Sequence, residues 1–108
     1  MDTQELKELA KKAIVEEVYE NLEKYFDYVY YQTDVDDYYF RCDGVLRDSI
    51  ELDIDEGDRF FGKLYADWYN CKIDSDLDFF LYDVNVTLEE RNEDGATIKK
   101  HDFFFKKI

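Results

Sequence analysis

The spacing of apolar residues changes once along this chain, from a helical period to a strand period. Near the N-terminus they recur at intervals of three and four, at Leu6, Leu9, Ala10, Ala13, Ile14, Val18, Leu22, Tyr25 and Phe26. This spacing lines one face of a helix of about six turns. Beyond that stretch, apolar and polar residues alternate, and clusters of Asp, Asn and Gly divide the chain into strand-length pieces. The sequence therefore predicts one long helix followed by antiparallel strands.

The predicted strands run near 37–46, 48–55, 59–71, 78–90 and 96–106, with a further strand at 27–33. In the fourth of these pieces the alternation predicts an apolar face made of Phe80, Tyr82, Val84, Val86 and Leu88. The helix must cover the apolar face of the sheet, which gives a two-layer α+β domain with cystatin-like geometry, although the chain carries no motif of that family. We expect a single domain over 1–108, with the helix at about 3–27 and a curved antiparallel meander of four to six strands at about 37–107.

Negative charge is concentrated in the middle of the chain. The formal net charge is −14, and residues 27–94 hold 20 acidic against 6 basic side chains, whereas residues 95–108 carry +3. Glu51, Asp53 and Asp55 alternate with aliphatic residues, so a strand places their carboxylates in water about 6.7 Å apart. This charge exceeds the magnitude of about 2–8 that solubility needs in a small domain. It predicts attraction to basic proteins, and repulsion from nucleic acid and from anionic membranes.

The leading functional hypothesis is a small, non-catalytic binding protein that docks on a basic protein, such as a nuclease or another nucleic-acid-binding protein. Small anti-restriction and anti-CRISPR proteins act in this way by mimicking nucleic acid, and the likeness is one of size and charge, not of sequence. Tyrosines beside carboxylates suit an interface that grips Arg and Lys. The predicted partner-binding residues are Glu51, Asp53, Asp55, Asp58 and Asp67 for charge, with Tyr65 and Tyr69 as anchors.

Three alternative interpretations remain open. Acids on exposed strand positions also serve to keep a protein soluble and to protect sheet edges from pairing. A second functional class is a ligand-binding or enzymatic domain with a pocket between helix and sheet, lined by Phe60, Trp68, Phe80 and Tyr82. A third is a structural homo-oligomer, for example a homodimer, joined through the Phe-rich last strand around residues 103–105.

Catalytic and metal-binding signatures are lacking in the sequence. His101 is the only histidine, the cysteines Cys42 and Cys71 are 29 positions apart, and no Gly-rich phosphate loop occurs. We therefore predict no enzymatic activity, no cofactor and no metal site, leaving open a weak divalent cation site at the acidic turns 34–37 or 74–78. The N-terminus lacks a secretion signal and no run reaches membrane-spanning length, so we expect a cytoplasmic protein with reduced cysteines.

Overall fold

The predicted N-terminal helix is present in a computed structural model, which describes residues 1–25, 28–32, 37–41, 48–73 and 78–108. Helix α1 spans Thr3–Glu20, and a single helical turn, α2, follows at Leu22–Tyr25. The Asp2 carboxylate accepts a hydrogen bond from the Glu5 backbone N–H (2.8 Å), and Glu5 accepts one from Asp2 in return (3.3 Å). This capping box starts the helix because it satisfies two N–H groups that lack partners within the helix.

Asn21 separates the two helices. Its backbone has φ −132° and ψ 44°, outside the helical region. Its side-chain amide donates to the Glu17 carbonyl (2.9 Å) and its N–H donates to the Val18 carbonyl (3.2 Å). The side chain thereby takes up a carbonyl at the end of α1, which is how Asn commonly competes with a continuing helix.

Seven strands follow the helices: β1 (Tyr28–Gln32), β2 (Asp37–Arg41), β3 (Asp48–Asp55), β4 (Phe61–Trp68), β5 (Asn70–Ile73), β6 (Phe79–Arg91) and β7 (Thr97–Lys107). β1 and β2 form a separate antiparallel hairpin. β4 and β5 pair in succession along one side of β6, and β7 pairs along the other. With β3 beside β4, the main sheet is four strands wide, and β3, β5 and β7 each pair with a single neighbour among the described strands.

One face of this sheet packs against α1. The helix buries every fourth residue on that side, and the sheet buries the aliphatic positions of the alternating strands. Trp68 is fully buried and meets the Tyr25 ring edge to face, with ring centroids 5.6 Å apart. Each buried aliphatic side chain contributes about 1.5–3 kcal/mol. The predicted two-layer α+β arrangement, with a helix on an antiparallel sheet, is confirmed.

The predicted apolar face of the fourth strand is wrong in its first half. Leu81 is fully buried, whereas Phe80 and Tyr82 are only half-buried and lie outside the core cluster. The cause is Asp83, whose φ of 53° breaks the alternation, so the next core position is Val84.

The alternation of core-facing and exposed residues shifts at the same level in the neighbouring strands. In β4–β5, in β6 and at the end of β7, two successive core-facing residues are three positions apart instead of two. They are Trp68 and Cys71, Leu81 and Val84, and Phe105 and Ile108. Between each pair lies an exposed residue, and these residues mark the line at which the alternation shifts: Tyr69, Asp83 and Lys106. The β4–β5 break falls on this line, and so does the one missing partner pair between positions 82 and 84 of β6 and β7.

Candidate partner-binding face

The side of the main sheet opposite α1 is here called the outer face. Strand register places its residues in rows that cross β3, β4, β6 and β7 in turn. Three rows are Ser49, Asp67, Asn85 and Phe104; Glu51, Tyr65, Thr87 and Asp102; and Asp53, Lys63, Glu89 and Lys100. The structure therefore brings five of the predicted binding residues onto one surface: Glu51, Asp53, Asp55, Tyr65 and Asp67.

The predicted row of carboxylates on β3 is exposed to solvent. The side chains of Glu51 and Asp53 are 55% and 88% exposed, and Asp55 is also exposed. The Asp55 carboxylate accepts a hydrogen bond from the Gly57 N–H (3.0 Å), which fixes the turn into β4. Asp58 lies in that same turn and is exposed. The β3 edge and its turn thus form one acidic strip.

The two predicted tyrosine anchors differ in accessibility. Tyr65 is half-buried, and its hydroxyl accepts a hydrogen bond from the Arg91 guanidinium (3.2 Å). Tyr69 is 57% exposed and lies in the break between β4 and β5. Asp67 is half-buried beside them, and its carboxylate accepts a hydrogen bond from the Asn85 amide (3.2 Å). Tyr69 is therefore the more accessible anchor, whereas Tyr65 is held within the face.

Lys63 is a member of this face that sequence reasoning missed. Its ammonium group lies 2.7 Å from the Glu51 carboxylate and 3.8 Å from that of Asp53. The hydrogen bond and charge of Glu51 raise the pKa of Lys63 above its ordinary value of 10.5. Alternation did place Lys63 on the wet side of its strand, but only the register of β3 against β4 reveals the contact.

A second group of cations lies further across the face. The Glu89 carboxylate is 2.9 Å from the Arg91 guanidinium and 3.5 Å from the Lys100 ammonium. The hydrogen bond from Arg91 is the main reason that the pKa of Glu89 lies below its ordinary value of 4.5. Charges in the row of Asp53, Lys63, Glu89 and Lys100 alternate in sign across four strands. The acidic excess of the outer face is consequently greatest at the β3 edge.

A shallow depression of about 380 Å³ opens on the outer face between β3 and β6. Its polar lining consists of Ser49, Glu51, Tyr65, Asp67, Asn85 and Thr87. This concave surface contains two carboxylates and an aromatic ring. It therefore suits a long cationic side chain, because a cation is attracted both to carboxylates and to the face of an aromatic ring. The depression is suited to an Arg or Lys side chain from a partner.

The residues of the predicted internal pocket do not share one face. Phe60 and Trp68 are in the core, 2% and 0% exposed, whereas Phe80 and Tyr82 alternate with buried Leu81 and so lie on the other side of β6. In the Phe-rich last strand, Phe103 and Phe105 pack against the core. Phe104 between them is 57% exposed on the outer face.

The remaining residues considered for metal binding or catalysis are the histidine, the cysteines and the acidic turns. His101 is half-buried, with its Nε2 3.7 Å from the Glu90 carboxylate. No three His, Cys, Asp or Glu side chains converge as metal ligands within the described residues. The acidic turns 34–36 and 74–77, and Cys42, lie outside that part of the chain, while Asp78 is exposed at its border.

None of the helices described by the structure combines the length and the apolar character that crossing a membrane requires. No protein-family model matches the chain, and neither a curated protein nor a solved structure is significantly similar to it.

Proposed function

We propose that this chain is a small acidic, non-catalytic binding protein that docks on the basic surface of a nucleic-acid-binding protein and competes there with nucleic acid. The β3 edge and its turn make the contact, with Tyr69 and the depression beside Tyr65 receiving cationic side chains. The partner is a nuclease or another protein with a basic groove, as for anti-restriction and anti-CRISPR inhibitors.

The observation that carries this proposal is the exposed carboxylate row of Glu51, Asp53 and Asp55. Alternate residues on a strand are about 6.7 Å apart, so the row presents negative charge at regular intervals along a strand that has one neighbour among the described strands. A groove built to bind nucleic acid carries Lys and Arg that contact a regular series of phosphates. A rigid anionic row is a chemical match for such a groove.

The net charge of −14 adds a long-range component. Fields of this size speed the encounter with an oppositely charged partner, and they weaken as salt screens them. Nucleic acid carries the same sign of charge as this protein, so the two repel each other. A protein that is attracted to a basic partner and repelled by nucleic acid can compete with nucleic acid for the same basic site.

The test is retention of proteins from an extract of the organism that encodes the chain, using the immobilised protein at low and high salt. We expect nucleic-acid-binding proteins to be retained at low salt and to be released by added DNA duplex. A variant with Glu51→Gln, Asp53→Asn and Asp55→Asn should lose most of this retention, because the charge is removed without a large change of side-chain shape.

A matched control removes charge elsewhere. Glu93 and Asp94 lie in the exposed turn between β6 and β7, two strands away from β3. Glu93→Gln with Asp94→Asn should leave retention largely intact. Equal retention by the wild type and the triple variant, or retention that DNA and salt do not alter, would contradict the proposal.

A further inference from the structure

A second acidic concavity lies on the opposite side of β3, between this edge strand and α1. It is a groove of about 300 Å³ with an apolar floor formed by Leu9, Ala13, Leu52 and Ile54. Carboxylates surround that floor: Glu16, Glu17 and Glu20 from α1, Asp53 and Asp55 from β3, and Glu56 from the turn. Among the described residues that line the groove, Lys12 is the single cation, 4.0 Å from Glu16.

The open edge of β3 forms one wall of this groove. Among the described strands β3 pairs only with β4, so from Ile50 to Asp55 the N–H and C=O groups on its other side have no partner in those strands. Edges of this kind are templates for an added strand. The groove therefore offers backbone hydrogen bonds, an apolar floor and negative charge in one place.

Charge determines which kind of strand can pair with the edge of β3. Pairing of two β3 edges would bring the Glu51, Asp53 and Asp55 rows of two copies together, and like charges directly opposite each other on a sheet destabilise it. A strand that alternates Lys or Arg with medium-sized apolar residues fits instead. Its apolar side chains would face α1 above Leu52 and Ile54, and its cations would extend the outer face beside the β3 carboxylates.

From this geometry we infer that the groove between α1 and β3 binds an extended basic segment of the partner protein as an additional strand. The inference rests on the proposed function, which supplies a basic partner, and it specifies the recognised element. The occupant is a segment of alternating cationic and apolar residues that pairs with β3.

The probe is a capped synthetic peptide with the sequence Lys-Val-Lys-Val-Lys-Val-Lys, tested by calorimetry and by amide hydrogen exchange of the full chain. Binding should slow exchange of amides in β3 and leave those of β7 unchanged. A Glu-Val peptide of the same pattern should not bind. A version with Pro at the central position should bind more weakly, because Pro cannot donate to the ladder.

Two protein variants separate the groove from general charge attraction. Asp53→Asn with Asp55→Asn removes the two groove charges that lie beside the cations of the added strand, and the matched Glu93→Gln with Asp94→Asn removes two elsewhere. We expect about tenfold weaker binding for the first and less than about twofold for the second. Equal weakening by both variants, no binding of the peptide, or protection of β7 in place of β3 would overturn the inference.

Self-association is the remaining outcome to distinguish. β7 is itself an edge strand with Lys99, Lys100, Lys106 and Lys107. If sedimentation showed a dimer and β3 amides were protected without peptide, the occupant would be a second copy, and the inference of a foreign strand would be overturned. Loss of peptide binding with persistent, DNA-sensitive retention of extract proteins would overturn the groove alone and leave the proposed function standing.

Discussion

The Lys63 ammonium group on β4 lies 2.7 Å from the Glu51 carboxylate on β3, and it is also within 4 Å of Asp53. This single cation connects two acids of the β3 row to the next strand. It reduces the repulsion between carboxylates that occupy alternate positions on the same strand. The acidic edge is consequently stabilised from within the sheet, while Asp53 remains largely exposed.

Replacing Lys63 with Gln should lower the melting temperature by no more than a few degrees, because partly exposed ion pairs contribute little to stability. The deficit should be larger at low salt than at high salt, since screening weakens the repulsion that remains between Glu51 and Asp53. Thermal unfolding at two salt concentrations measures this. Lys63→Arg keeps the charge and should melt close to the wild type; a Lys63→Gln protein that melts as the wild type does at low salt would contradict the prediction.

The Glu89 carboxylate predicts a pH-dependent contribution to stability. Its pKa is lower in the folded protein than its ordinary value of 4.5, chiefly because Arg91 donates a hydrogen bond to it. The folded state therefore binds that proton less readily than the unfolded state. The stabilisation is present above pH 4.5 and is lost as the pH falls through the lowered pKa.

Glu89→Gln should accordingly be less stable than the wild type at neutral pH, and the difference should shrink below pH 4.5. Urea denaturation at a series of pH values gives both curves. Glu93→Gln, in the exposed turn, is the matched control and should show no such convergence. A gap between Glu89→Gln and the wild type that stays constant on acidification would rule out this role for Glu89.

The break in alternation at Asp83 leads to a prediction that differs from the one the sequence pattern gives. Leu81 is fully buried, whereas Tyr82 is half-buried and outside the core cluster. Leu81→Ala should therefore cost about 2–5 kcal/mol through lost burial and a residual cavity. Tyr82→Ala should cost clearly less.

Urea denaturation of both variants shows whether Leu81 or Tyr82 is the residue that faces the core. A larger loss for Tyr82→Ala than for Leu81→Ala would restore the simple alternation. A further variant, Asp83→Gly, should be tolerated or slightly stabilising, because glycine adopts a φ of 53° without the steric cost that other residues incur.

Local periodicity was sufficient to predict the two layers of this fold. Apolar residues at intervals of three and four located α1, and alternation located β3 from Asp48 to Asp55 with the predicted bounds. The break at Asn21 and the slip at Asp83 each depend on one residue with unusual backbone angles. Neither position carries Gly or Pro; Asn and Asp favour such angles only weakly, and the periodicity of apolar residues does not register them.

In the candidate site, too, some features follow from the local sequence pattern and others do not. Exposure of Glu51, Asp53 and Asp55 follows from alternation within one strand. The neutralising contacts of Lys63, Arg91 and Lys100 depend on which strands are neighbours and on their register, and a pattern within one strand determines neither. For this reason the sequence predicted negative charge over the middle of the chain, whereas on the described outer face the acidic excess lies mainly along the β3 edge.

Gly62 on β4 provides the strongest prediction for stability. It is buried, it pairs with Glu90 on β6, and a Cβ atom added to it would lie 1.8 Å from the Glu89 carbonyl oxygen. That oxygen belongs to the backbone of a central strand, so it cannot move without disturbing the ladder between β4 and β6. Gly62→Ala should therefore destabilise the protein by at least about 2 kcal/mol, although Ala is ordinarily the better residue in a strand.

A glycine with a different constraint serves as the control. Gly95 in the turn between β6 and β7 has a φ of 82° and nothing within 4 Å of an added Cβ. Gly95→Asn should cost less than about 1 kcal/mol, because Asn tolerates the left-handed region better than most residues. Chemical denaturation compares the two variants directly. If Gly62→Ala proved as stable as the wild type, the close approach of β4 and β6 at this position would be wrong, and with it the register that places Lys63 beside Glu89.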